Sequence, residues 1–281
     1  MRWEGLRESD NVEDRRGIGG RGIAIGGGLG GVVILVLALL FGANPGDLQQ
    51  QSPDDDYGTQ TSRPVNPQEE EVRKFVGVVL AQTEDAWSDI FRQMGKQYRK
   101  PTLVLFSDRT QSGCGLAASA TGPFYCPQDE KLYIDLSFFR ELKTRFRAPG
   151  DFAIAYVIAH EVGHHVQKQL GIMDRVTPAR RRGSEEGANG ASVRLELQAD
   201  FLAGVWAHYV QDRGIVEAGD AEEALAAASA VGDDRLQREG QGYAVPDSFT
   251  HGTSAQRMRW FRKGMESGDL RQGDTFSTSE L

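Results

Sequence analysis

Residues 152–167 read FAIAYVIAHEVGHHVQ, and the pair His160 and His164 inside this apolar run constrains the fold more than any other feature. The apolar periodicity that leads into the pair predicts a buried helix. Residues four apart lie on one helical face, one turn along, so both imidazoles can reach a single ion. Two buried histidines need polar partners or a metal. With five histidines in 281 residues, a chance HExxH match is improbable, and the metal reading is preferred. Zinc takes imidazole at roughly 2.0–2.1 Å, and a catalytic site uses three protein ligands plus water. Glu161, beside the first histidine, can take a proton from that water.

A third ligand is needed, and a later helical segment supplies it. Residues 192–209 read SVRLELQADFLAGVWAHY, with Glu196 and, one turn on, Asp200. Leu195, Leu197, Ala199, Phe201 and Leu202 surround Glu196, so a solvated position is a poor account of it. A buried glutamate without a partner is costly. Glu196 therefore closes the ligand set. Asp200, on the same face, can accept a hydrogen bond from the outer nitrogen of a ligating histidine and fix its tautomer. His165 follows His164 directly and points about 100° away around the helix, which assigns it to packing or support. His208 lies about 18 Å along the helix axis from Glu196 and is not expected at the site.

The second constraint is Gly22 to Ala43 (GIAIGGGLGGVVILVLALLFGA), which holds no charged residue. At about 1.5 Å per residue it just spans a hydrocarbon core of roughly 30 Å. A cleavable signal peptide is disfavoured by the 21 residues that precede the run and by the poor small-x-small pattern at its end. Arg2, Arg7, Arg15, Arg16 and Arg21 precede the run, and the next basic residue is Arg63. That asymmetry places the N-terminus in the cytoplasm and the rest outside, as a single-pass protein of the cell membrane. The expected organisation is a cytoplasmic tail over 1–21, a transmembrane signal-anchor over 22–43, a disordered linker over 44–68, a folded domain over 69–267 and a disordered tail over 268–281. The linker is rich in proline, glycine, glutamine and acids, and cannot bury enough surface to offset its ordering entropy.

Within the domain, apolar spacing predicts a long helix from about Glu69 to Tyr98. Thr102 to Phe106 and Lys131 to Asp135 are short, β-rich and bounded by turn residues, so they are expected as strands. Further helices are expected over 136–146, 151–170, 190–211, 220–231 and 254–264, and an exposed loop over 171–189. The chain carries 32 Lys+Arg against 40 Asp+Glu, a net charge of −8. No basic excess is available to displace counterions from phosphates, so nucleic acid is not an expected partner.

HExxH followed by an ExxxD helix resembles the gluzincin class of zinc peptidases, to which thermolysin belongs. The stretches SGCG, GPFYCP, KLYIDLSFF, IAHEVGHHVQ, SVRLELQADF and THGTSAQRMRW are similar to the bacterial putative neutral zinc metallopeptidase family. The resemblance covers most of residues 70–265. It implies an α+β, zincin-like metallopeptidase domain, mainly helical with a small sheet, and an N-terminal anchor fits it. It also implies a peptide or protein substrate and a zinc ion, one per chain, held by His160, His164 and Glu196. An HExxHxxGxxH site is excluded, because Gln167 and Leu170 stand where glycine and histidine would be required.

The expected activity is membrane-anchored amide hydrolysis, in which zinc polarises the carbonyl and acidifies its water while Glu161 acts as general base. The competing reading is a non-catalytic tethered binding module that keeps zinc for stability. An intact Glu161 argues against it, since a structural site needs no base and normally carries four protein ligands. The resemblance also places His251, on the turn Thr250-His251-Gly252, beside the developing oxyanion, with Arg257 supporting that segment. Cys114 and Cys126 stand a dozen positions apart with glycines nearby, and the expected orientation puts them outside, where disulfides persist. A bridge between them is expected, with Gly115 to Ala120 as an edge strand beside the cleft. Oligomeric state and substrate preference are left open by the sequence.

Overall fold

The structure, a computed structural model, describes residues 1–16, 66–174, 176, 187 and 190–281. The run 22–43 and nearly all of the linker lie outside the described residues, as does most of the loop 171–189. Among the described residues, no helix is long and apolar enough to cross a membrane.

β1 (Val12–Asp14), β2 (Thr102–Phe106) and β6 (Lys131–Asp135) run parallel in a four-stranded sheet. β5 (Phe124–Cys126) pairs antiparallel with β6 at the far edge, giving the order β1-β2-β6-β5. β2 and β6 carry continuous apolar runs because both faces are covered; Leu103, Leu105, Leu132 and Ile134 are fully buried. β3 (Arg109–Ser112) and β4 (Gly115–Ala118) form a separate hairpin. The expected strand over 115–120 is therefore corrected. It forms in part, but it pairs with β3, and the sheet edge is β5.

Helices supply most of the core. α1 (Pro67–Gln93) starts on an Asn66 cap that accepts from the Gln68 amide at 3.1 Å, with proline at the first position and Glu69 and Glu70 in the first turn. It stops short of the expected Tyr98, because Gly95 turns the chain at φ 68°. α2 (Ser137–Thr144) leads to α3 (Asp151–Gln169) and α4 (Ala191–Asp212). α5 (Asp220–Ala230), α6 (Asp233–Gln241) and α7 (Ser254–Ser267) complete the layer. α4 and α7 cross in near backbone contact at two glycines. A Cβ on Gly204 would sit 2.1 Å from the Phe261 carbonyl oxygen, and one on Gly264 would sit 2.1 Å from that of Phe201.

Both chain ends depart from expectation. Residues 1–16, expected as a separate tail, are part of this domain through β1. Glu84, fully buried on α1, explains why they dock. Its carboxylate accepts from the Ser9 hydroxyl, from Asn11 Nδ2 at 2.7 Å and from Arg7 at 3.4 Å, and Lys100 lies 3.1 Å away. Without residues 7–11 this buried charge would lose most of its partners. Residues 268–281, expected to be disordered, are also ordered. Thr275 is fully buried and its hydroxyl donates to the Arg194 carbonyl at 2.6 Å, while Arg194 Nη1 donates to the Thr278 carbonyl at 2.9 Å.

Candidate metal centre

α3 carries His160, Glu161 and His164, and α4 carries Glu196 and Asp200. Gly163 lets the two helices meet. A Cβ there would lie 2.9 Å from the Ala199 carbonyl oxygen and 3.2 Å from its Cα. The close approach brings Glu196 opposite both histidines. Its Oε2 is 3.2 Å from His160 Nε2 and its Oε1 is 3.4 Å from His164 Nε2. One ligand atom from each of the three residues falls within 4.8 Å of the others.

The outer nitrogens are already committed. His160 Nδ1 lies 2.8 Å from Asp200 Oδ1, and His164 Nδ1 lies 2.9 Å from Gln167 Oε1. Gln167 is oriented in turn, because its amide nitrogen donates to the Leu195 carbonyl at 2.7 Å and to Gln198 Oε1 at 3.1 Å. Acceptors on both Nδ1 atoms hold those protons and leave the Nε2 lone pairs facing Glu196. Two imidazoles and a carboxylate in that state fit zinc.

Asp200 is the hub behind His160. It is fully buried, accepts from the Tyr156 hydroxyl at 2.5 Å, and takes Arg257 Nε at 2.8 Å and Nη2 at 2.9 Å. Burial alone would raise its pKa, but Arg257 and His160 hold it down at about 2. The same burial works against an imidazolium at His160, yet Asp200 and Glu196 raise that pKa to about 10, so a cation on Nε2 would have to displace a proton there. Glu161 differs from its neighbours. Burial raises its pKa, opposed by the two histidines and by the backbone amide of Tyr125 on β5. A carboxyl moved upward from its ordinary range is better matched to accept and return a proton near neutral pH.

His251 sits on a turn built by Asp233, the first residue of α6. Asp233 Oδ2 accepts the backbone amides of Thr250, His251 and Gly252 at 2.7, 2.6 and 2.9 Å, and Oδ1 lies 3.3 Å from His251 Nδ1. The turn rests on α4. Gly252 has φ 90°, and a Cβ there would lie 3.2 Å from both Val193 and Leu197, which flank Glu196. Burial opposes the charged form of His251, but Asp233 and the charge of Glu196 raise its pKa. Thr253 caps α7 with a capping box closed by Gln256.

The other histidines fall outside this group. His165 is fully buried, with Nδ1 3.1 Å from the Tyr125 hydroxyl and Nε2 2.7 Å from the Arg99 carbonyl, so it anchors β5. His208 Nδ1 bonds the Met265 carbonyl at 2.8 Å on the α4–α7 side. Cys114 and Cys126 are bridged, with Cα atoms 5.8 Å apart, and tie the β3–β4 hairpin to β5. Asp233, Gln167 and Tyr156 escape the sequence reading. Gln167 had a signal, since it follows His164 by three on the same helix. Asp233 had none in its polar stretch.

The putative neutral zinc metallopeptidase family matches residues 1–276. The uncharacterized protein YpfJ of Escherichia coli K12 is 51% identical over 286 residues, covering 99% of this chain and all of YpfJ. The uncharacterized protein Rv2575 of Mycobacterium tuberculosis H37Rv is 41% identical over 263 residues, covering 87% of this chain and 86% of its own. No solved structure matches. With the matched span running across nearly the whole chain and both helices of the metal centre inside it, this protein belongs to the putative neutral zinc metallopeptidase family.

Proposed function

We propose that the protein is a zinc-dependent peptidase in which Glu161 is the general base for peptide-bond hydrolysis. The observation that carries this reading is the convergence of His160, His164 and Glu196 within 4.8 Å, with both outer nitrogens occupied and Glu161 buried alongside. His160, His164 and Glu196 would hold the ion. Bound there, zinc supplies Lewis acidity, polarising a substrate carbonyl and lowering the pKa of water. Glu161 accepts the proton of the attacking water and delivers it to the leaving amine. His251, held by Asp233, faces the oxygen on which negative charge develops. β5, the last strand of the sheet, is where an extended substrate adds as a further strand.

The location is proposed too. The apolar run 22–43 attaches the chain to the cell membrane, and the Cys114–Cys126 bridge favours an extracytoplasmic position for the domain.

The test is a peptide-library digest by the full chain with and without a chelator. Glu161→Gln is expected to retain one zinc per chain and lose hydrolysis. A Glu161→Gln protein that cut at the parent rate would overturn the general-base assignment.

A further inference from the structure

We infer that residues 1–16 and residues 66–281 lie in one compartment, on the same side of the membrane. The inference takes membrane attachment from the reading above and is independent of the peptidase chemistry.

Four contacts carry it. The first is the sheet, in which Val12, Glu13 and Asp14 pair in parallel with Leu103, Val104 and Leu105. Leu103 N donates to the Asn11 carbonyl at 2.8 Å and Arg15 N donates to the Leu105 carbonyl at 2.7 Å, so the ladder extends beyond the strand at both ends. The second is Glu84, whose buried carboxylate draws Arg7, Ser9 and Asn11 onto α1. The third is Met1, whose buried amino group lies 2.8 Å from Asp151 and 3.1 Å from Asp220, bridging the starts of α3 and α5. The fourth is Arg16, whose guanidinium is 2.7 Å from Glu70 on the first turn of α1.

Opposite sides of a membrane for residues 1–16 and 66–281 would put roughly 30 Å of hydrocarbon between groups that touch. The strand pairing and the ion pair cannot span it. Arginines expected to orient the N-terminus toward the cytoplasm are paired with acids inside this fold. Arg2, Arg7, Arg15 and Arg16 face Glu217, Asp85, Glu13 and Asp14 at 3.4, 2.9, 2.8 and 2.7 Å. The family match begins at residue 1, so the N-terminal segment belongs to the same family unit as the metal centre.

The test uses the full chain in bacterial spheroplasts. Asp10→Cys and Glu280→Cys, both at exposed positions, are made separately and treated with a membrane-impermeant maleimide before and after permeabilisation. The parent chain sets the background. The expected result is equal protection at the two positions, with both labelled in intact spheroplasts if the domain is extracytoplasmic. One position labelled and the other protected until permeabilisation would overturn the inference. Alkaline carbonate extraction reads attachment separately. A chain that washes off the membrane overturns the attachment reading, whereas equal labelling of that chain still supports a shared compartment.

Discussion

At the residue scale, the centre depends on groups that never reach the ion. Gln167 fixes the proton of His164 as Asp200 fixes that of His160. Losing such an outer partner typically costs about 10–100-fold in metal affinity. Gln167→Ala is expected to weaken zinc within that range, read by competition with a chromophoric chelator. Unchanged affinity would show that His164 is oriented by other means. His251 lies outside the His160, His164 and Glu196 group, and its proposed role is at the oxyanion. His251→Ala should lower kcat by roughly a hundredfold, as loss of one oxyanion donor does, with little change in KM and zinc content intact. A variant that lost its zinc would place His251 in the ligand shell instead. The residues of the candidate metal group were legible because helical spacing fixes which side chains share a face. Asp233 was not, because only the turn at Thr250–Gly252 brings it to His251 from another helix.

At the element scale, glycine decides how close helices come. Gly264→Ala would press a methyl group against the Phe201 carbonyl and the Val205 amide, 2.1 and 2.9 Å from where its carbon would sit. Overpacking of this kind costs about 1–3 kcal/mol, and denaturant unfolding should show it as a lower midpoint with an unchanged slope. The N-terminal strand offers a pH readout. Burial raises the Glu84 pKa, but Ser9, Asn11 and Lys100 hold it below its ordinary value of 4.5. A depressed carboxyl stabilises the folded state above that ordinary value, and the contribution fades as pH falls through the lower folded-state value. Amide protection factors in Val12–Asp14, corrected for the intrinsic exchange rate at each pH, should therefore fall at acid pH, and Glu84→Gln should flatten that part of the profile. An unaltered profile would show that other carboxylates govern docking. β2, β6 and the long helices were legible from apolar runs and periodicity. β1 and α6 were not: three residues with one apolar side chain, and a nine-residue helix almost without an apolar stripe, acquire their structure from the partners they pack on.

At the scale of the whole molecule, the bridge and the chain ends close the fold around the site. The disulfide ties the hairpin to β5, the strand whose Tyr125 amide faces Glu161. A loop of this size contributes about 3 kcal/mol in the chain-entropy description. Cys114→Ser combined with Cys126→Ser should lower stability by about that amount, and the denatured, non-reduced parent should show no reactive thiol. Two reactive thiols per parent chain would remove the bridge from the account. The sequence by itself determined the His160, His164 and Glu196 group that could hold a metal, the neighbouring acid, the α+β class and the main helices, because each is written in short-range spacing that backbone geometry translates directly into a shared face. Only the tertiary structure decided that residues 1–16 and 268–281 belong to the domain, that β5 rather than β4 is the sheet edge, and that Asp233 holds His251. Those outcomes rest on pairings between residues far apart in the chain, where a buried charge such as Glu84 or an open strand edge selects its partner by geometry that no local pattern records.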